Sequence, residues 1–252
     1  MNITVIGCGR WGSFLTWYLD RMGHQTTLYG RPDSPHMAQF LAARSNGVVT
    51  LPPRVRLSTS LEAAVQEAQA LVISIGSQNL RGLMAQLGPP LKPPLDVVLC
   101  MKGLEMETGL RLSQIAGQYL PAAIPVSVWL GPGHVQEFLA GIPNCMVIDS
   151  SREDVKRLLV QSFSSDLIRF YYGEDLIGNE VGAAAKNVVG IAAGFLDGKG
   201  LSSLKGALMS RGTREVARLI QAMGGSQLSA YGLCHLGDLS LIHISEPTRP
   251  EP

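Results

Sequence analysis

The chain opens on Asn2-Ile3-Thr4-Val5-Ile6, a β-branched run that passes directly into Gly7-Cys8-Gly9-Arg10-Trp11-Gly12 and then into a helical pattern. Three glycines at this spacing, between a strand and a helix, leave few folds open. Gly7 permits the tight turn, Gly9 lets a pyrophosphate approach the backbone, and Gly12 lets helix and strand pack closely. The free N–H groups at the helix start, at the positive end of its dipole, attract the anion. Arg10 and Trp11 lie inside the loop and count with the three glycines as candidate cofactor contacts. The expected frame is an α/β, Rossmann-like, doubly wound and mostly parallel sheet.

The rest of the first two thirds carries the same alternation. Strand candidates fall at 3–7, 26–29, 71–75, 97–101, 126–130, 145–149 and 168–172. Trp11, Phe14, Tyr18 and Met22 recur at helical spacing, with Gly23 as a stop. Further helices are expected at 61–68 and 81–87, with Pro89, Pro90, Pro93 and Pro94 forming a loop. From 175 to 225 no strand signal occurs, only long Ala/Gly-rich helical patterns. The chain is therefore divided into a dinucleotide-binding domain, 1–173, and a partial helical substrate domain, 174–238. Residues 239–252 resemble the translation of a transposase-type sequencing adaptor, and are set aside as a non-native tail.

Composition narrows the function. An apolar share of 46% supplies a core and excludes a disordered chain. Lys+Arg is 21 against Asp+Glu 20, a net charge of +1, which argues against nucleic acid or an anionic membrane as the partner. Four scattered cysteines form no disulfide framework, and no paired spacing offers a zinc site. No apolar stretch reaches the roughly 20 residues of a membrane span. With no signal peptide in view, the expected setting is a reducing cytoplasm.

Two positions bear on the cofactor and the chemistry. The second strand ends in Leu28-Tyr29-Gly30-Arg31, where an NAD-selective site usually places an acid for the ribose hydroxyl. No acid occurs until Asp33, and the Arg31 guanidinium suits a 2′-phosphate, so NADP (as NADPH) is expected ahead of NAD. An arginine stacking on adenine without discrimination is the alternative. Lys102 follows the strand at 97–101, at the carboxyl end where ligands of open sheets bind. Lys186 is the only charge between Val181 and Leu196. Gly182 and Gly190 stand one turn either side of it, leaving room for a ligand or a neighbouring backbone. A desolvated amine there suits proton transfer near neutrality, and a snorkelling lysine is the structural alternative.

The motifs together form a recognisable series: GCGRWG at 7–12, Ser77-Gln78-Asn79-Leu80-Arg81, Met101-Lys102-Gly103-Leu104-Glu105, Gly131-Pro132-Gly133-His134-Val135-Gln136-Glu137, the stretch 178–187 and Leu236-Gly237-Asp238. In this order, over residues 1–238, the chain resembles the NAD(P)-dependent glycerol-3-phosphate dehydrogenase family. The resemblance implies reversible conversion of dihydroxyacetone phosphate to sn-glycerol 3-phosphate for phospholipid synthesis. It implies Lys186 as the general acid/base and Lys102 as a substrate-binding and orienting lysine that also meets the cofactor. Asp238 would support Lys186, with Asn187 beside it and Gly131 and Gly133 against the substrate.

Departures accompany the resemblance. Gly133, His134 and Gln136 stand where bacterial members carry Ser, Phe and Lys. Ser203 stands for an Asn, near a one-residue deletion. The family continues past Asp238 into a Thr-Ser segment and an Arg-Asn pair that hold the substrate phosphate, which 239–252 do not carry. The chain as written is accordingly expected to bind dinucleotide without efficient turnover. Another NADP-dependent keto-acid reductase of the same architecture, and a non-catalytic nucleotide-sensing protein, remain as alternatives. A homodimer is expected from the frequency of two-fold assemblies and from the resemblance.

Overall fold

The computed structural model describes residues 1–87, 91 and 93–239. Pro89 and Pro90 of the expected loop, and the tail from 240 onward, lie outside the described residues; Leu239 is buried. In chain order the elements are β1 (Asn2–Ile6), α1 (Arg10–Arg21), β2 (Gln25–Tyr29), α2 (Pro35–Ala43), β3 (Arg56–Ser58), α3 (Leu61–Val65), β4 (Ala70–Ile73) and α4 (Leu80–Leu87). They continue with β5 (Asp96–Leu99), α5 (Leu112–Gly117), β6 (Val126–Leu130), α6 (Val135–Leu139), β7 (Asn144–Ser150), α7 (Glu153–Phe163), β8 (Ile168–Tyr172), α8 (Leu176–Gly198) and α9 (Ser202–Ala222).

One sheet runs in the order β3-β2-β1-β4-β5-β6-β7-β8. All neighbours are parallel except β6 and β7, which pair antiparallel with Ser127 opposite Ser150. The strands are apolar on both faces because helices cover both sides. Ile3, Val5 and Leu28 join Phe14, Tyr18 and Phe163 in one layer, while Ile6, Leu71 and Ile73 join Met84 and Ile115 in the other. In α1 the expected helical stripe turns inward through Phe14 and Tyr18, both at most 1% exposed. Gly23, at φ +86°, ends that helix in the left-handed region.

Five elements have no counterpart among the expected strands and helices: β3, α2, α5, α6 and α7. β3 is an edge strand of 3 residues, too short for an alternation to register. α2 starts with Pro35 behind a Ser34 cap, whose hydroxyl accepts from Met37 N at 3.4 Å. Pro is well suited to a first helical turn but also reads as a breaker.

After β8 the character changes. α8 and α9 pack along each other, and Val181, Val216 and Ile220 form a third, smaller core. The joint is closely tied. Asp175 caps α8 by accepting from Gly178 N at 3.0 Å, and also accepts from Ser226 N and Ser229 Oγ at 2.8 and 2.6 Å. Buried Asp149 on β7 accepts from Asp175 N at 3.1 Å and Asn179 Nδ2 at 2.8 Å. Further along α8, Glu180 is 5% exposed and receives Arg111 Nη1 at 2.5 Å and Ser113 N at 2.8 Å. Among the described residues no helix is long and apolar enough to cross a membrane.

Candidate active site

The strand order reverses direction between β1 and β4, and at such a point an open sheet leaves a crevice beyond its carboxyl ends. A cleft of about 730 Å³ lies there, walled by the glycine loop on one side and by Ser74, Ile75 and Gly76 on the other. The three glycines serve different ends. Gly7 has φ +113°, and a Cβ on it would stand 2.1 Å from Ser74 O. A Cβ on Gly12 would stand 1.9 Å from Gly7 O. These two are required by the fold itself. A Cβ on Gly9 would meet nothing within 4 Å, so this glycine faces open space, where a pyrophosphate can come against bare backbone. The residues present therefore fit a dinucleotide.

Trp11 and Arg31 also line the cleft, whereas Arg10 is exposed at the first residue of α1. Arg31 stands at the rim, 75% exposed, with Nε 3.5 Å from Asp33 Oδ1. So close an acid shares the guanidinium with any phosphate that approaches it.

Past the crevice, four segments far apart in sequence converge. Lys102 follows β5, Gly131 follows β6, Lys186 projects from the middle of α8, and Asp238 follows a wide π-type turn at Leu233–Gly237. Lys102 Nζ donates to Gly131 O at 3.2 Å and to Asp238 Oδ2. Lys186 Nζ donates to Asp238 Oδ1 at 3.1 Å. Two ammonium groups thus share one carboxylate that is almost fully buried. Both lysines keep some exposure, 28% and 16% of their side chains. A buried carboxylate is tolerated only when its charge is met, and here two cations meet it. The result is a fixed positive pair with one open side, suited to an oxygen that gains negative charge.

Not every expected residue joins this cluster. Among the described residues Asn187 makes no hydrogen bond to it and is exposed. Gly133 packs elsewhere: a Cβ there would lie 2.7 Å from the Phe138 ring and 3.3 Å from Trp11. Gly131, at φ +121°, makes the turn that presents its carbonyl to Lys102.

Several residues that were not candidate site residues support the cluster. Gln78 donates to Leu104 O at 2.8 Å and accepts from Met106 N at 2.9 Å, tying the loop after β4 to the one bearing Lys102. Arg81 grips Glu105 through two contacts of 2.7 and 2.8 Å, and holds its carboxyl down at about 2. Cys234 is buried, which pushes its thiol up to about 12 and keeps it protonated. His235 is fully buried beside the cluster, and as a lone histidine it carries no spacing signal in the sequence. Among the described residues no three His, Cys, Asp or Glu side chains group to hold a metal ion.

A glycine loop at the switch point, with one lysine after β5 and one from α8 bridged by Asp238, defines a dinucleotide-dependent oxidoreductase with a helical second domain. Comparison with known proteins supplies the particular family. The family description "NAD-dependent glycerol-3-phosphate dehydrogenase N-terminus" matches residues 2–156, and its C-terminal counterpart matches 175–250. The chain belongs to this family. A relative named glycerol-3-phosphate dehydrogenase [NAD(P)+] from Janthinobacterium sp. (strain Marseille) is 38% identical over 257 residues, covering 99% of this chain and 76% of the relative. A namesake from Chlorobium phaeobacteroides (strain BS1) is 34% identical with the same coverage. The crystal structure of glycerol-3-phosphate dehydrogenase from Coxiella burnetii superposes with a TM-score of 0.89 at 27% identity, covering 95% of this chain and 74% of that one.

Proposed function

We propose that this chain interconverts dihydroxyacetone phosphate and sn-glycerol 3-phosphate by hydride transfer with NAD(P)H, using Lys186 as the proton donor and acceptor. The observation that carries the reading is the pair of lysine ammonium groups bridged by buried Asp238 at the strand ends beyond the glycine loop. When bound, the nicotinamide supplies the hydride in one direction and accepts it in the other. In the reducing direction one further proton is needed, and Lys186 gives it to the oxygen on C2. Lys102 stabilises the negative charge that builds on that oxygen. Asp238 orients both amines and returns Lys186 to its place after each transfer. Gly131 contributes its carbonyl, which holds Lys102 in register.

The same reading extends to cofactor choice, setting and assembly. Arg31 at the rim favours NADPH, with Asp33 limiting the advantage. A small-molecule reductase with no nucleic-acid partner, working in the cytoplasm as a homodimer and supplying the backbone of phospholipids, completes the proposal. The test is oxidation of NADPH by the purified chain, and by a version extended with the C-terminal segment of the Janthinobacterium relative. Dihydroxyacetone phosphate should be reduced and ketopantoate left untouched. Reduction of ketopantoate alone, or tight NADPH binding with no turnover of either compound by either protein, would overturn it.

A further inference from the structure

His235 is an ionisable group at the site to which the proposed reaction assigns no part. It lies three residues before Asp238 on the π-type turn, and its ring is 0% exposed. Nδ1 stands 3.0 Å from the carbonyl oxygen of Gly182 on α8, one helical turn ahead of Lys186. A carbonyl can only accept, so Nδ1 carries the proton and donates. Nε2 then holds a lone pair, buried and with no partner among the described residues. Burial also keeps the imidazole below its ordinary 6.5, so the ring is neutral at neutral pH. The two sides of this contact are matched: a Cβ on Gly182 would lie 3.1 Å from His235 Cβ. The bare helix face one turn before Lys186 thus admits a neighbouring residue rather than a ligand.

The contact joins the two backbone segments whose side chains must meet. One carries Asp238, the other Lys186, and their amine and carboxylate are 3.1 Å apart. A single turn of helix separates Gly182 from Lys186, so fixing the carbonyl fixes the origin of the lysine side chain. π-type turns recur at functional sites because they shift side chains that a regular helix would place elsewhere. We infer that His235 is a positioning residue, stapling the Asp238 turn to α8 through Nδ1–H and so setting the separation of Lys186 and Asp238. This rests on the proposed role of Lys186.

Two substitutions in the C-terminally extended chain separate the staple from mere packing. His235→Phe fills the ring volume without a donor, whereas His235→Asn places an amide N–H near the position of Nδ1. The Phe variant should lose about 10-fold in kcat, the scale of one positioning hydrogen bond, with KM for NADPH unchanged. The Asn variant should recover to within about 3-fold of the parent. In crystal structures the Lys186–Asp238 contact should persist in the parent and the Asn variant, and open in the Phe variant. An Asn variant as impaired as the Phe variant, or a Phe variant retaining both rate and contact, would overturn the proposal. So would a parent ¹⁵N spectrum showing the proton of His235 on Nε2, which needs no variant to fold. If the C-terminally extended parent fails to reduce dihydroxyacetone phosphate, the functional reading falls, while the crystallographic and tautomer measurements still decide the staple.

Discussion

The cofactor crevice and the lysine cluster are built in opposite ways. The crevice takes its defining residues from one short run, Gly7 to Gly12, and close backbone approaches dictate two of its three glycines, Gly12 against Gly7 and Gly7 against Ser74. The cluster takes Lys102, Gly131, Lys186 and Asp238 from four separate segments, and 136 positions separate the members of one hydrogen bond. A contiguous motif needs only its own strand and helix and the adjoining β4 to form. A dispersed one needs the whole sheet, the domain joint and α8 in place. Binding should therefore be the robust property of this protein and chemistry the fragile one.

The largest expected effect breaks chemistry and spares binding. In the C-terminally extended chain, Lys186→Met should lower turnover by about 10²–10⁴-fold, the usual contribution of a general acid–base group. NADPH affinity, read by fluorescence titration, should hardly move. A variant within a few-fold of the parent would remove Lys186 from its assigned role, provided circular dichroism shows it folded.

The converse experiment breaks binding and spares the fold. Gly9→Ala adds a methyl into open space, so the thermal midpoint should stay put while NADPH affinity falls about tenfold or more, roughly 1.4 kcal/mol. Gly12→Ala should instead cost about 1–3 kcal/mol of stability, the range for overpacking, because its methyl meets Gly7 O. Equal thermal midpoints for the two would contradict the division of labour drawn among the glycines.

A smaller effect sharpens the cofactor side. Arg31→Ala should weaken NADPH by about 5–10-fold, the scale of one exposed charge-assisted contact, and leave NADH nearly unchanged. Equal losses would mean that Arg31 stacks on the base and ignores the 2′-phosphate.

The smallest effect is on stability against pH. Burial lowers His235 in the folded state, with Asp238 favouring its charged form and Lys186 opposing it. The unfolded chain then binds the extra proton first, so stability falls as pH drops below about 6.5. His235→Asn should flatten that slope in urea titrations, though not abolish it, since burial lowers His24 as well. An unchanged slope would mean that His235 adds nothing to it.

Legibility in the sequence follows the same division. The glycine loop and the long helices α8 and α9 were readable because local pattern decides them. The strand candidates at 71–75 and 97–101 landed one or two residues from β4 and β5, since burial on both faces leaves no alternation to mark the ends. The helix expected over 61–68 stops at Val65. Residues 102, 131, 186 and 238 became a constellation only by resemblance, because nothing in the spacing says that they meet. Gln78 stood within a quoted motif, yet its clamp on the Lys102 loop depends on how two loops cross. His235 depends on a Gly182 contact 53 positions away, beyond the reach of any periodicity.

The joint between the domains has a mechanical consequence. α8 is held at its root by Asp149 and Asp175, and Lys186 stands eleven residues further on, about 16 Å along the axis at 1.5 Å per residue. A tilt of about 5° at the root would carry that amine about 1.4 Å over this length, enough to part it from Asp238. Glu180, gripped by Arg111 and Ser113, braces the shaft between root and tip. α8 thus acts as a lever with two fixed supports, and carboxylates far from the reacting carbon set the reach of the proton donor.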